Sequence, residues 1–135
     1  MKRLTVPAKV EYLDEVTAFV DEELESYGCP MEVQLQIELA IEEIFVNIAS
    51  YAYKPADGEA EIRCEVLRAP LRVVIQFLDG GKPYDPLAKE DADTSPEALE
   101  AREGGLGILL VKRTMDDVRY TYEGGKNILT ILKQL

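Results

Sequence analysis

Histidine and tryptophan are absent from this 135-residue chain, and cysteine occurs only twice, as Cys29 and Cys64. Without an imidazole, Ser-His and Cys-His nucleophile pairs are excluded, and two distant thiols cannot by themselves make a tetrahedral zinc site. They read instead as buried, reduced cysteines of a cytosolic protein. No segment approaches the roughly 20 apolar residues of a membrane span. The opening MKRLTVPAKVEY carries three basic residues but no apolar stretch of the signal-peptide kind. A cytoplasmic protein without a membrane partner is the expectation. Positive charge is scarce too: 15 Lys and Arg stand against 26 Asp and Glu, a formal net charge of −11. That balance excludes the basic stripe of a direct nucleic-acid binder or an anionic-membrane binder. A phosphate ligand stays admissible, because backbone N–H groups and a divalent cation neutralise it locally.

What is present suits one domain spanning residues 1–135, since 47% apolar content supplies a core for a single layered α+β unit. Residues 3–6 read as a short strand stopped by Pro7. Val10, Leu13, Val16, Phe19, Val20 and Leu24 then recur at helical spacing, and Tyr27-Gly28-Cys29-Pro30 ends that helix. This apolar stripe is read as core, although it also suits a partner, and it leaves monomer or homodimer open. A second helix is predicted over 31–53, closed by the turn Lys54-Pro55-Ala56-Asp57-Gly58. Residues 59–67 and 71–78 alternate as two strands joined through Ala69-Pro70. Residues 82–103 hold Pro83, Pro86 and Pro96 among polar residues with little periodicity, which in a small domain marks a functional lid or a disordered loop. Residues 106–115 are predicted helical, and 117–123 and 127–134 form a hairpin about Gly124-Gly125.

The helix over 31–53 is apolar along a broad arc containing Val33, Ile37, Ala40, Ile41, Ile44, Phe45 and Ile48, with a second apolar group at Leu35, Leu39 and Val46. Burial on more than one side is therefore expected. A narrow polar strip of Gln36, Glu43, Asn47 and Ser50 runs between the two, and Glu43 and Asn47 are one turn apart on one face. Alone, such a pair is usually a solvated stripe. Two glycine clusters follow it. Asp79-Gly80-Gly81 ends the apolar strand Val73–Leu78, where glycine lets a ligand approach the backbone, and Gly104-Gly105-Leu106-Gly107 opens a helix whose N–H groups and dipole suit phosphate oxygens. Neither a Walker motif nor a strand-first G-x-G-x-x-G is present, so a nucleotide bound here is held by another design.

In that order and spacing, the chain resembles the GHKL (Bergerat-fold) ATPases, and among them the bacterial anti-sigma-factor serine/threonine kinases. Glu43-Ile-Phe-Val-Asn47 is similar to the family's asparagine box, Asp79 through Pro86 to its first glycine box, and Gly104 through Gly107 to its second. Pro83 stands where many members carry the last glycine of Asp-x-Gly-x-Gly, and Tyr51 where a histidine often follows the asparagine box. The resemblance implies a two-layer α/β sandwich, with a mixed, mostly antiparallel sheet covered on one face by about three helices, and an ATP lid over about 82–103. It implies that Asn47 ligates Mg²⁺, that Asp79 accepts from the adenine amino group, that Gly81 packs under the base, and that Thr130 assists through water. Gly104, Gly105, Leu106 and Gly107 would hold ATP phosphates, with Arg102 a further candidate whose default reading is solvated. Glu43 would be the general base on a serine or threonine hydroxyl. The partners implied are ATP or ADP, a sigma factor, and the anti-sigma-factor antagonist that is phosphorylated. The alternative is a nucleotide-dependent protein-binding module without kinase activity. A sensor histidine kinase is disfavoured, because the chain has no phosphoacceptor histidine.

Overall fold

The computed structural model describes residues 1–53, 56–88 and 106–135, with Leu106 described by its backbone alone. Among them are five strands and three α-helices: β1 (Lys2–Pro7), α1 (Leu13–Ser26), α2 (Met31–Asn47), β2 (Glu59–Leu67), β3 (Arg72–Asp79), α3 (Leu106–Thr114), β4 (Asp117–Glu123) and β5 (Lys126–Gln134). The strands form one sheet in the order β1-β2-β3-β5-β4, and every neighbouring pair is antiparallel. The α+β sandwich expected from the sequence is therefore observed, its sheet all antiparallel among the described residues.

Strand alternation decides which face meets the helices. Ala60, Ile62 and Cys64 of β2, Val73, Ile75 and Phe77 of β3, and Leu129 and Ile131 of β5 are all buried on one face. They share a core with Val16, Val20 and Leu24 of α1, Ile37, Ile41, Ile44 and Phe45 of α2, and Val111 of α3. Fully burying a side chain of this size contributes about 1.5–3 kcal/mol, so this seam holds the layers together. The stripe on the first helix is thereby core, apart from Val10, which is exposed.

Two expectations for the second helix fail. Leu35 and Leu39 are each 50% exposed, because a two-layer sandwich offers one sheet, and among the described residues the far side of the helix layer meets no second apolar surface. The α-helix also stops at Asn47 and gives way to a single wide π-type turn, Ile48–Ala52, before Tyr53. Such turns carry one extra residue and are frequent at functional sites. Here the wider turn brings the Ala52 carbonyl to the Lys82 N–H at 3.2 Å, a contact that local helix periodicity does not encode.

Candidate functional site

Both glycine elements dock on α2 and its terminal turn. Gly81 lies so close to the turn that a Cβ built on it would sit 2.2 Å from the Ala52 carbonyl oxygen, closer than any side chain tolerates. Tyr53 adds a clamp: its hydroxyl donates to the Glu59 carbonyl and accepts from the Gly80 N–H, each at 2.6 Å. One hydroxyl thus ties the end of the α2 turn to the start of β2 and to the loop after β3. Nine residues earlier on the same helix, a Cβ on Gly107 would fall 1.9 Å from Glu43 Oε2. The Glu43 carboxylate therefore lies against the first turn of α3, where the helix dipole is positive. From Glu43 to Ala52 the chain climbs about 13 Å along the helix axis at 1.5 Å per residue, and half-buried Asn47 sits between the two docking points.

Asp79 ends β3 on the helix-facing side, and it is buried, with 6% of its surface exposed. Its Oδ1 accepts from the Gly81 N–H at 2.9 Å and from Asn127 Nδ2 at 3.0 Å. Buried carboxylates need such partners, since an unpaired one costs several kcal/mol. Asn127, also buried, further donates from Nδ2 to the Lys82 carbonyl at 2.9 Å and accepts at Oδ1 from the Tyr84 N–H at 3.1 Å and from the Tyr120 hydroxyl. The loop continues as a tight turn in which Asp85 Oδ1 accepts from the Leu87 N–H at 2.8 Å.

Thr130 does not join this group. It pairs with Gln76 across β3 and β5 and accepts from Gln76 Nε2 at 3.3 Å. Gln76 and Thr130 are three residues from Asp79 and Asn127 respectively, an odd step that puts them on the opposite face of the sheet. The position opposite Asp79 belongs to Asn127, which the sequence reading passed over. The signal was available, because Asn127, Leu129 and Ile131 share a parity and asparagine is uncommon in a strand core.

Gly104, Gly105, Arg102 and the expected lid beyond Ala88 lie outside the described residues. Among the described residues no group of three or more Asp, Glu, Cys or His side chains is placed to hold a metal ion. An amide oxygen such as that of Asn47 suits Mg²⁺ that arrives with phosphates, because this hard cation keeps waters and phosphate oxygens around one or two protein ligands. A surface cavity of about 420 Å³ lined by Ala8, Lys9, Val10, Glu11, Ala49, Tyr53 and Asp57 shares only Tyr53 with the constellation.

The model of the histidine kinase-like ATPase domain matches residues 6–133. The chain belongs to that family. Histidine kinase-like ATPase domains thus account for nearly its whole length, in agreement with the resemblance carried by the asparagine and glycine boxes. Curated relatives include the serine-protein kinase RsbW of Listeria monocytogenes serovar 1/2a, 26% identical over 130 residues that cover 93% of this chain and 82% of the relative. Serine-protein kinases RsbW of Staphylococcus aureus (strain MRSA252) and Bacillus pumilus are each 28% identical, over 93% of this chain and 81% and 80% of the relatives. Among the described residues no helix is long and apolar enough to cross a membrane.

Proposed function

We propose that this member of the histidine kinase-like ATPase family is a protein serine/threonine kinase that uses ATP with Mg²⁺. The observation that carries the reading is the placement of the Glu43 carboxylate against Gly107, one helical turn from Asn47. A site that only clamped a nucleotide would gain nothing from a carboxylate beside the terminal phosphate, where like charges repel. In this reading Asp79 takes the adenine amino group and Gly81 admits the base against the α2 turn. The backbone of residues 104–107 receives phosphate oxygens, and Asn47 gives one oxygen to Mg²⁺. Glu43 takes the proton of an incoming serine or threonine hydroxyl as its oxygen bonds to the γ-phosphorus and the bond to the β-phosphate oxygen breaks, releasing ADP. Phosphoryl transfer asks mainly for positioning and charge neutralisation, which these parts supply.

The serine-protein kinase names of the relatives support the kinase activity, and the resemblance of the asparagine and glycine boxes to anti-sigma-factor kinases extends the proposal to partner switching: binding a sigma factor in one state and phosphorylating that factor's antagonist in another, in the cytoplasm. Transfer of radiolabelled phosphate to the antagonist, paired with calorimetry of nucleotide binding, tests the reading. Glu43→Ala keeps binding and loses transfer, while Asn47→Ala loses the Mg²⁺ dependence of binding. Undiminished transfer in Glu43→Ala removes its role as base, and a wild-type chain without nucleotide affinity refutes the whole assignment.

A further inference from the structure

The contact between Asp79 and Asn127 does more than satisfy two buried groups. Asp79 Oδ1 accepts from the Gly81 N–H and from Asn127 Nδ2, which occupies both lone pairs of that oxygen, while Oδ2 takes neither bond. The Asn127 amide is itself held in one orientation by neighbours that have a single role each. The Lys82 carbonyl can only accept, and it meets Nδ2; the Tyr84 backbone N–H can only donate, and it meets Oδ1. Turning the amide over would set its oxygen against a carbonyl and a carboxylate, leaving three partners unsatisfied at once. The Tyr120 hydroxyl adds a second donor to Oδ1. Burial, opposed by a hydrogen bond with the Tyr84 backbone and reinforced by the charges of Asp85 and Asp79, pushes the Tyr120 phenol up from its ordinary value, so it stays protonated and keeps donating.

Resting on the nucleotide reading above, we infer that Asn127 is a positioning residue for base specificity. By saturating Asp79 Oδ1 it leaves Oδ2 as an acceptor-only group for the base. The site then takes a purine with an exocyclic amino donor at that position and rejects one with a carbonyl oxygen there, which favours adenine over guanine nucleotides. A site built to bond a donor discriminates strongly against an analogue lacking it, because its own buried acceptor is left unpaired.

Calorimetry of the full chain with the Mg²⁺ complexes of ATP and GTP tests this, at about pH 8 and about pH 5.5, on either side of the titration of a shared carboxyl pair. N127D replaces the Nδ2 donor with an acceptor facing Asp79 Oδ1 and the Lys82 carbonyl. At the higher pH the preference for ATP over GTP narrows about tenfold, the worth of one hydrogen bond to a charged group. At the lower pH a proton shared by the two carboxyls supplies the missing donor, and the preference returns. Y120F, a milder change that keeps Asn127 in place, narrows the preference about threefold; it decides alone where N127D does not fold. Equal weakening of ATP and GTP in these variants, or an ATP to GTP ratio in N127D that ignores pH, marks a purely structural residue and overturns the inference. A wild-type chain that binds neither nucleotide instead overturns the nucleotide reading beneath it.

Discussion

Substituting Gly107 by alanine separates stability from catalysis. The residue is the second of α3, and an alanine there gains up to about 1 kcal/mol of helix propensity over glycine. Against this, the new Cβ falls 1.9 Å from Glu43 Oε2 and 2.6 Å from its Cδ, while Cγ at 3.1 Å is tight and has to give by only a few tenths of an ångström. The clash is thus with the tip of a flexible side chain, which swings away at small cost. Restoring a contact distance near 3.5 Å moves the carboxylate by about 1.5 Å, and a misplacement of about 1 Å in a reacting group is enough to cost about 10²-fold in rate. G107A should therefore melt at the same temperature as wild type or slightly higher, bind nucleotide nearly as well, and transfer phosphate about a hundredfold more slowly. Differential scanning calorimetry, nucleotide titration and a radiolabel transfer assay on one preparation provide the comparison. Unimpaired transfer would refute the placement of Glu43 at the reacting centre. Lost stability would refute the claim that the side chain, not the backbone, yields.

The opposite balance is expected at Gly81, where a Cβ meets the Ala52 carbonyl oxygen at 2.2 Å and its carbon at 2.6 Å, backbone that cannot swing aside. G81A should lose about 1–3 kcal/mol of stability as an overpacked site does, together with nucleotide affinity, and urea unfolding checks the first part. A third test concerns pH. Burial, then the adjacent carboxyl of Glu38 and the charge of Glu25, push Asp21 up from 3.8 to about 7, with Gln34 opposing, and its Oδ1 is buried without a partner among the described residues. The folded state therefore holds a proton that the unfolded state releases near pH 4. The stability contributed by protonated Asp21 is full in acid, declines as pH rises from about 4 to about 7, and is flat above that. D21N should flatten this dependence and be the more stable form at about pH 8; equal slopes for both proteins across that window would count against the buried proton.

Strand boundaries were legible where alternation was strict: residues 59–67 and 117–123 were expected as strands, and β2 and β4 occupy those spans. The order of Glu43, Asn47, Asp79 and Gly107 was legible as well, because each lies at the end of an element or on a strip between apolar arcs. Cross-strand pairing was not. That Asn127, and not Thr130, faces Asp79 turns on a register set by the β4–β5 hairpin and by β3, and a slip of odd length reverses the face of every side chain. The exposure of Leu35 and Leu39 depends on how many layers the domain has, which helix periodicity does not report. Tyr53 escaped notice because its hydroxyl acts on two backbone groups from other elements.

The wide turn after Asn47 has a bearing on which length changes the chain can absorb. Adding a further residue to Ile48–Ala52, whose wide turn already absorbs one, would turn everything beyond it by about 100° around the helix axis. Ala52 and Tyr53 would then face away from Gly80, Gly81 and Lys82, although none of those residues had been altered. A residue added to the exposed hairpin at Gly124-Gly125 disturbs no such alignment. In the stretch between Asn47 and Tyr53 it is the count of residues, more than their chemistry, that keeps the loop after β3 in step with α2.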